Sequence, residues 1–327
     1  MTEAQFLAAR HVHGAHHLAL LARPGVVACG VGLRRRNGVL TDQHVIKVFV
    51  VRKRPLADLH PAEILPAALS HGEHVAEIDV EEMPAPVAPP RHPASERSMM
   101  AEARLRVPRR PLVGGASLAH RDFSTGTLAI GVTDNATGAG YALSCNHVLA
   151  MQNTARAGDA VLQPARDDGG RYPRDAVGMM VRYVPIRFDG GSNLVDAALA
   201  AVPPGAVRQS VDLIGAVSES VDADTLRPGD IVHKVGRTTG LTEGPVLAVD
   251  VSMPVAYHFL GFPAGTAIFV RQIIAHVPCA YGDSGSLLLD GQNRAVGLLF
   301  GGTEGHTYFN PFTEVEKALD VRLVHDA

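Results

Sequence analysis

From Pro111 onward the chain is a succession of short apolar runs, each stopped by Gly, Asp, Asn or Pro. Residues 127–132, 141–144, 177–184, 194–199, 231–235, 245–251, 273–277, 286–289 and 295–300 are of this kind. Runs of this length, bounded by turn residues and rich in Val, Ile and Leu, read as strands. A series of short strands must bury its apolar faces in a sandwich or in barrels. Roughly 215 residues of this pattern suit two small barrels better than one. The one helix that the pattern predicts here comes last, at residues 313–319.

The segment ahead is built differently. Residues 3–21 read as a helix ended by Arg23-Pro24-Gly25. A strand follows at 26–33, Asn37-Gly38 signals a hairpin turn, and the return strand runs over 44–51. The pattern predicts a short helix over 61–69, with Pro61 at its start, and a third strand over 75–80. Residues 1–83 are thus expected to form a small α+β domain, large enough to fold alone. His13 and His17 stand one helical turn apart, a spacing at which two imidazoles can share a metal. No neighbouring acid or cysteine completes a ligand set, so a polar helix face is the reading and no metal is expected. Residues 84–110 carry prolines at 84, 86, 89, 90 and 93 and arginines at 91, 97, 104, 106, 109 and 110. This is a Pro/Arg-rich, extended linker, with an anionic partner site or a processing site as its functional alternative.

Composition removes several function classes. The formal net charge is −3, so no nucleic-acid partner is expected. No apolar run reaches the ~18 residues of a membrane helix, so no membrane is expected either. The first residues lack a basic start, an unbroken apolar core and a small-residue cleavage site, so no secretory leader is expected. The three cysteines, Cys29, Cys145 and Cys279, are too few for a disulfide framework, and a reducing cytoplasm is expected. Nothing implies a cofactor.

The chemistry gathers around Tyr281-Gly282-Asp283-Ser284-Gly285-Ser286. A serine is a weak nucleophile without a base and a site for the oxyanion. Glycines on both sides permit a tight turn and close approach of a substrate. Of sixteen histidines, His147 is the one placed just after a strand, in Cys145-Asn146-His147-Val148. A base held at a strand end can be aimed accurately. Asp196 interrupts the apolar run Leu194-Val195-Asp196-Ala197-Ala198, where a carboxylate is costly unless something pairs with it. Asp175 competes for the role of that acid.

Ser144-Cys145-Asn146-His147-Val148-Leu149, Val195-Asp196-Ala197-Ala198 and Gly282-Asp283-Ser284-Gly285, in that order, resemble the trypsin/chymotrypsin-like serine proteases. Gly236-Arg237-Thr238-Thr239-Gly240 is similar to the strand pair opening the second barrel of bacterial members. The run from Arg110 to the end resembles a stand-alone bacterial branch to which the plant narrow-leaf protein is related. The segment with Gly30-Val31-Gly32 and Val48-Phe49-Val50 resembles the small domain that precedes the protease there. The resemblance implies a mainly β, two-barrel chymotrypsin-like protease domain over 111–327, with a C-terminal helix. It implies Ser284 as nucleophile, His147 as general base and Asp196 as its orienting acid. The Gly282 and Ser284 N–H groups would form the oxyanion hole, and Asp283 would pair with a buried cation. Pro278, Cys279, Ala280, Phe300 and Gly301 would line the substrate pocket. No acid stands at Pro278, so a small or medium apolar side chain is the expected preference. Ser286 and Cys145 depart from the family pattern, which more often has Gly and Asn there.

The expected function is an intracellular endopeptidase acting on protein or peptide substrates, gated by its N-terminal domain or as a homo-oligomer. The alternative is a protease-fold binding or scaffold protein with little or no turnover. An α/β-hydrolase is disfavoured, because a strand rather than a helix follows Ser284 and no histidine comes last in a suitable context. A cysteine nucleophile is disfavoured because serine holds the position.

Overall fold

A computed structural model describes residues 3–88, 103–259 and 262–323. Helix α1 (Glu3–Leu21) buries Phe6, Ala9, Val12 and Leu20 on one stripe, as the 3.6-residue period requires. Strands β1 (Val26–Arg36) and β2 (Val39–Val50) form a hairpin around Asn37 and Gly38. Both turn residues have positive φ, 49° and 81°, as the turn signal implied. β3 (Ala68–His71) and β4 (His74–Glu82) form a second hairpin, and β4 runs parallel to β2 with Ile46 opposite Ile78. The helix expected over 61–69 is only a 3-10 turn at Pro61–Glu63. Pro66 explains this: it has no N–H to donate, and it disfavours the helical conformation at Leu65.

Of the linker, β5 (Val87–Ala88) and a 3-10 turn at Ala103–Arg106 are described, and residues 89–102 lie outside the described residues. β6 (Leu112–Gly114), β7 (Ala119–His120), β8 (Gly131–Asp134) and β9 (Gly140–Ser144) follow, then the one-turn helix α2 (Asn146–Leu149). β10 (Ala160–Leu162), β11 (Ala176–Tyr183), β12 (Ser192–Asn193) and β13 (Ala198–Ala201) come next, with β14 (Val207–Val211) and β15 (Gly215–Ala216) behind them. The last part holds β16 (Ile231–Gly236), β17 (Gly240–Phe259), β18 (Phe262–Ala275), β19 (Leu287–Asp290), β20 (Ala295–Thr303) and β21 (His306–Pro311). Helix α3 (Phe312–Leu319) and β22 (Val321–Arg322) close the described chain.

The fold is mainly β and has the two-barrel form expected. Strands β7 to β11, β13 and β22 make the first sheet, in the order β22-β8-β9-β13-β11-β10-β7. In the second, β16, β19, β20, β21, β18 and β17 pair in succession, and β17 pairs back to β16, so six strands close into a ring. Closure leaves no free edge within the ring.

β17 also pairs with β1, Cys29 facing Ser252 and Val31 facing Val249. The α+β segment thereby extends the sheet of the second barrel. Phe6, Val12, Val31 and Val48 share one apolar cluster with Ile273, Leu288, Val296 and Phe309. Each such side chain contributes about 1.5–3 kcal/mol on burial. The other cluster joins both barrels and takes in Phe49, Met83 and Ala88 from the N-terminal part.

Candidate active site

Antiparallel pairing of β9 with β13 sets Ala198 opposite Ser144 and Leu199 opposite Leu143. Extending that register past the strand ends brings residue 196 to the start of α2. There the Asp196 carboxylate meets His147 twice. Oδ2 lies 2.5 Å from His147 Nδ1, and Oδ1 accepts the His147 backbone N–H at 3.1 Å. Both residues are wholly buried. A desolvated carboxylate needs donors, and a third comes from Tyr257 on β17, whose hydroxyl donates to Oδ2 at 2.7 Å. Burial and the Asp196 charge push the Tyr257 phenol well above its ordinary pKa, so it stays a donor. The Asp196 N–H donates to Asn310 Oδ1 of β21 (2.9 Å), and Asn310 Nδ2 donates to Gln272 Oε1 of β18 (2.7 Å). The acid of the first barrel is thus seated on the second.

Ser284 sits in the loop ahead of β19. Its neighbour Asp283 is wholly buried and anchors the loop. Asp283 Oδ1 accepts the N–H groups of Thr238 (2.8 Å) and Thr239 (3.2 Å), at the turn between β16 and β17. Oδ2 accepts from Ala280 N–H (2.9 Å), Thr239 Oγ1 (2.7 Å) and the buried Lys234 Nζ (3.2 Å). Lys234 is the buried cation that the resemblance implied for Asp283. Gly282 and Gly285 have φ of 100° and 95°, which a residue with a Cβ rarely adopts. At Gly285 a Cβ would also lie 2.1 Å from Thr127 O and 2.2 Å from Ser144 Oγ. Ser286 Oγ donates to Asp283 O (2.6 Å), so the serine in place of glycine fastens the turn.

The two halves meet closely. The Ser284 carbonyl accepts from Thr127 N–H (2.8 Å), and the Leu299 carbonyl accepts both from Gly285 N–H (2.8 Å) and from the Cys145 thiol (3.1 Å). The structure brings His147 and Asp196 into contact and sets Ser284 in a loop against the strand that leads to His147. It does not join Ser284 Oγ to His147 Nε2: both atoms are buried, and neither has a hydrogen-bond partner among the described residues. Such bonds are often long before substrate arrives. Thr238 Oγ1 donates to Tyr281 O (2.7 Å), and this fixes the peptide carrying the Gly282 N–H. Among the described residues no acceptor takes the N–H of Gly282 or Ser284.

Asp175 lies elsewhere, held by Arg174 and by the Arg171 N–H (2.7 Å). Of the expected pocket residues, Pro278 is exposed and its carbonyl accepts from Thr242 Oγ1 (3.0 Å). Ala280 is buried, and Cys279 is half-buried beside Gly302, with its sulfur accepting from Thr307 Oγ1 (3.1 Å). Phe300 is buried against Phe269, with ring centres 4.7 Å apart. Gly301 is buried beneath β5: a Cβ there would lie 2.7 Å from Val87 O.

The donor atoms of Cys145, His147 and Asp196 lie within 4.8 Å of one another. Burial, then the Asp196 charge, push the Cys145 thiol well up, and it donates to Leu299 O. Tyr257 and Asn310 escape sequence reasoning, since each reaches Asp196 from another part of the chain with no local motif. Lys234 left a trace, a lone cation within the apolar strand Ile231-Val232-His233-Lys234-Val235.

No family model matches the chain, and no curated protein matches it. Among solved structures it is similar to a glutamic-acid-specific serine protease that uses a histidine triad in substrate binding, at 23% identity and a TM-score of 0.47, covering 65% of this chain and 100% of that one. It is also similar to Thermobifida fusca protease A (16% identity, TM-score 0.45) and to Cellulomonas bogoriensis chymotrypsin (20%, TM-score 0.44). Each of these two alignments covers 65% of this chain and 98% of the other. The likeness is one of fold, to trypsin/chymotrypsin-like serine proteases.

Proposed function

We propose that the protein is a serine endopeptidase acting through an acyl-enzyme, with Ser284 as nucleophile, His147 as base and then acid, and Asp196 as the orienting acid. Ser284 Oγ attacks the peptide carbonyl while its proton passes to His147 Nε2. The oxyanion takes the N–H groups of Gly282 and Ser284. His147 then gives the proton to the leaving amine as the C–N bond breaks, and water repeats the sequence on the ester. The observation that carries this reading is the double hold of Asp196 on His147. It commits Nδ1–H to the carboxylate and leaves Nε2 as the free base.

The same reading makes residues 1–83 an α+β domain, 84–110 a linker and 111–327 the protease, with protein or peptide as substrate. Gating belongs to it, and the linker supports that. β5 pairs with β17 at Ala256 and Tyr257, the Ala256 N–H donates to Pro86 O (3.0 Å), and Val87–Ala88 lie over Gly301. On the far side of the Asp283 anchor, Arg106 donates to the carbonyls of Arg237 and Thr238 (3.3 Å each). A strand laid on the expected pocket wall keeps substrate out until it leaves. Association of copies of the chain is the other route to gating.

Labelling with a fluorophosphonate tests the assignment. Wild type is expected to label, and Ser284→Ala and His147→Ala to lose labelling. Gly/Ser replacement of residues 84–88 is expected to speed it. Labelling that survives Ser284→Ala overturns the nucleophile. A folded protein that never labels, even without β5, supports the scaffold reading.

A further inference from the structure

Eight of the sixteen histidines fall within the first 74 residues. The fold sorts them in a way their spacing does not reveal. His13, half of the pair one helical turn apart, points into the core, and His17 Nδ1 lies 2.8 Å from Ser252 Oγ. His11, on the outer side of α1, instead meets the β3–β4 hairpin. Its ring centre lies 5.0 Å from that of His71 and 4.9 Å from that of His74. His16, one turn further along, lies 6.2 Å from His71, with Nε2 3.0 Å from Ser70 O.

We propose that His11, His71 and His74 form a binding site for a first-row divalent metal such as Zn²⁺, outside the candidate active site. Three observations carry this. First, His71 and His74 face each other across the hairpin. Residues directly opposite in an antiparallel pair point to the same face, with Cβ atoms about 4.5–5.5 Å apart. Second, the spacing of His11 from each of the other two rings suits coordination, while the three donor nitrogens as they stand are not all within 4.8 Å of one another. A nitrogen ~2.0–2.1 Å from zinc puts its ring centre at about 3.2 Å, and two such rings at the tetrahedral angle stand about 5.2 Å apart. His11 stands at about that distance from both partners. Third, the rings are uncommitted: among the described residues no protein group bonds to a ring nitrogen of His11, His71 or His74. His11 and His71 are exposed and His74 is half-buried, so bringing three nitrogens onto one point takes ring rotation and leaves the backbone in place.

The donor set fixes the class of ion. Three imidazoles with no thiolate suit Zn²⁺, Ni²⁺ or Cu²⁺ in preference to Mg²⁺ or Ca²⁺. Three protein ligands leave a further position open to water on this exposed face. Because α1 and the hairpin are far apart in sequence, the ion would clamp them together and stabilise the folded state by mass action. The site does not depend on the peptidase reading.

The test uses the full chain, stripped with a chelator and titrated calorimetrically with Zn²⁺, with thermal unfolding in parallel and Co²⁺ absorption as a check on coordination. One equivalent is expected to bind and to raise Tm. His11→Ala, His71→Ala and His74→Ala are each expected to weaken binding more than the roughly ten- to hundredfold that loss of a mere supporting residue costs. The exposed His60→Ala is expected to leave it unchanged. The proposal is overturned if wild type binds no Zn²⁺, if the His11→Ala/His71→Ala double variant binds as wild type does, or if binding is lost with His13→Ala/His17→Ala instead.

Discussion

Asp196 and Asp283 are both aspartates and both wholly buried, one at the end of each barrel's contribution to the site. Their partners differ in kind. Asp283 is enclosed by Lys234, Thr239 and three backbone N–H groups. Asp196 accepts from Tyr257 and from His147, and imidazole is the side chain whose charge changes most readily near neutral pH. A buried carboxylate matched by a fixed cation holds a loop in shape. One matched by an imidazole can stabilise a charge that appears only during a reaction. The contrast lies in the partners and not in the burial.

Exchanging each acid for its amide should separate the two roles. Asp196→Asn is expected to keep the fold and cut the turnover or labelling rate by about 10⁴, the loss that the corresponding change causes in a well-studied protease. A mild effect would return the role to another acid. Asp283→Asn is expected to act through stability, since it leaves Lys234 buried without its counter-charge. Urea unfolding should show a loss of about 3–5 kcal/mol, and an unchanged midpoint would deny Asp283 its anchoring part. Tyr257→Phe removes one hydrogen bond to a charged acceptor, of about 1.5–3 kcal/mol. The expected result is a roughly ten- to hundredfold slower rate with KM unaltered. A shift in KM alone would make Tyr257 a part of the substrate wall.

His13 supplies the smallest expected effect and a control, being a buried titratable group with an unpartnered Nε2. Burial lowers its pKa to about 3, so the folded protein holds it neutral while the unfolded chain protonates it near the ordinary histidine value. The unfolded state then binds more protons between those two values. Stability is complete above about pH 6.5 and falls as pH drops toward 3. The loss amounts to about 1.6 kcal/mol between pH 6.5 and 5, and His13→Leu should remove it in urea midpoints measured at those pH values.

Much of the architecture is legible in local pattern. The α1 stripe, the Asn37-Gly38 hairpin and the short strands after Pro111 follow from periodicity and turn chemistry, which act over a few residues. The helix expected over 61–69 fails for an equally local reason, Pro66. Ser284, His147 and Asp196 stand out because their surroundings make them costly or odd where they are.

What the chain order determines by itself is which residues are chemically capable, and in which element each one sits. What only the tertiary structure decides is their company. β1 joins β17 across more than two hundred residues, Tyr257 and Asn310 reach Asp196, β5 lies over Gly301, and His11 meets His71 and His74. Periodicity and turn chemistry specify each element alone. Contacts between distant elements depend on how whole faces pack, and that is a property of the closed sheets together.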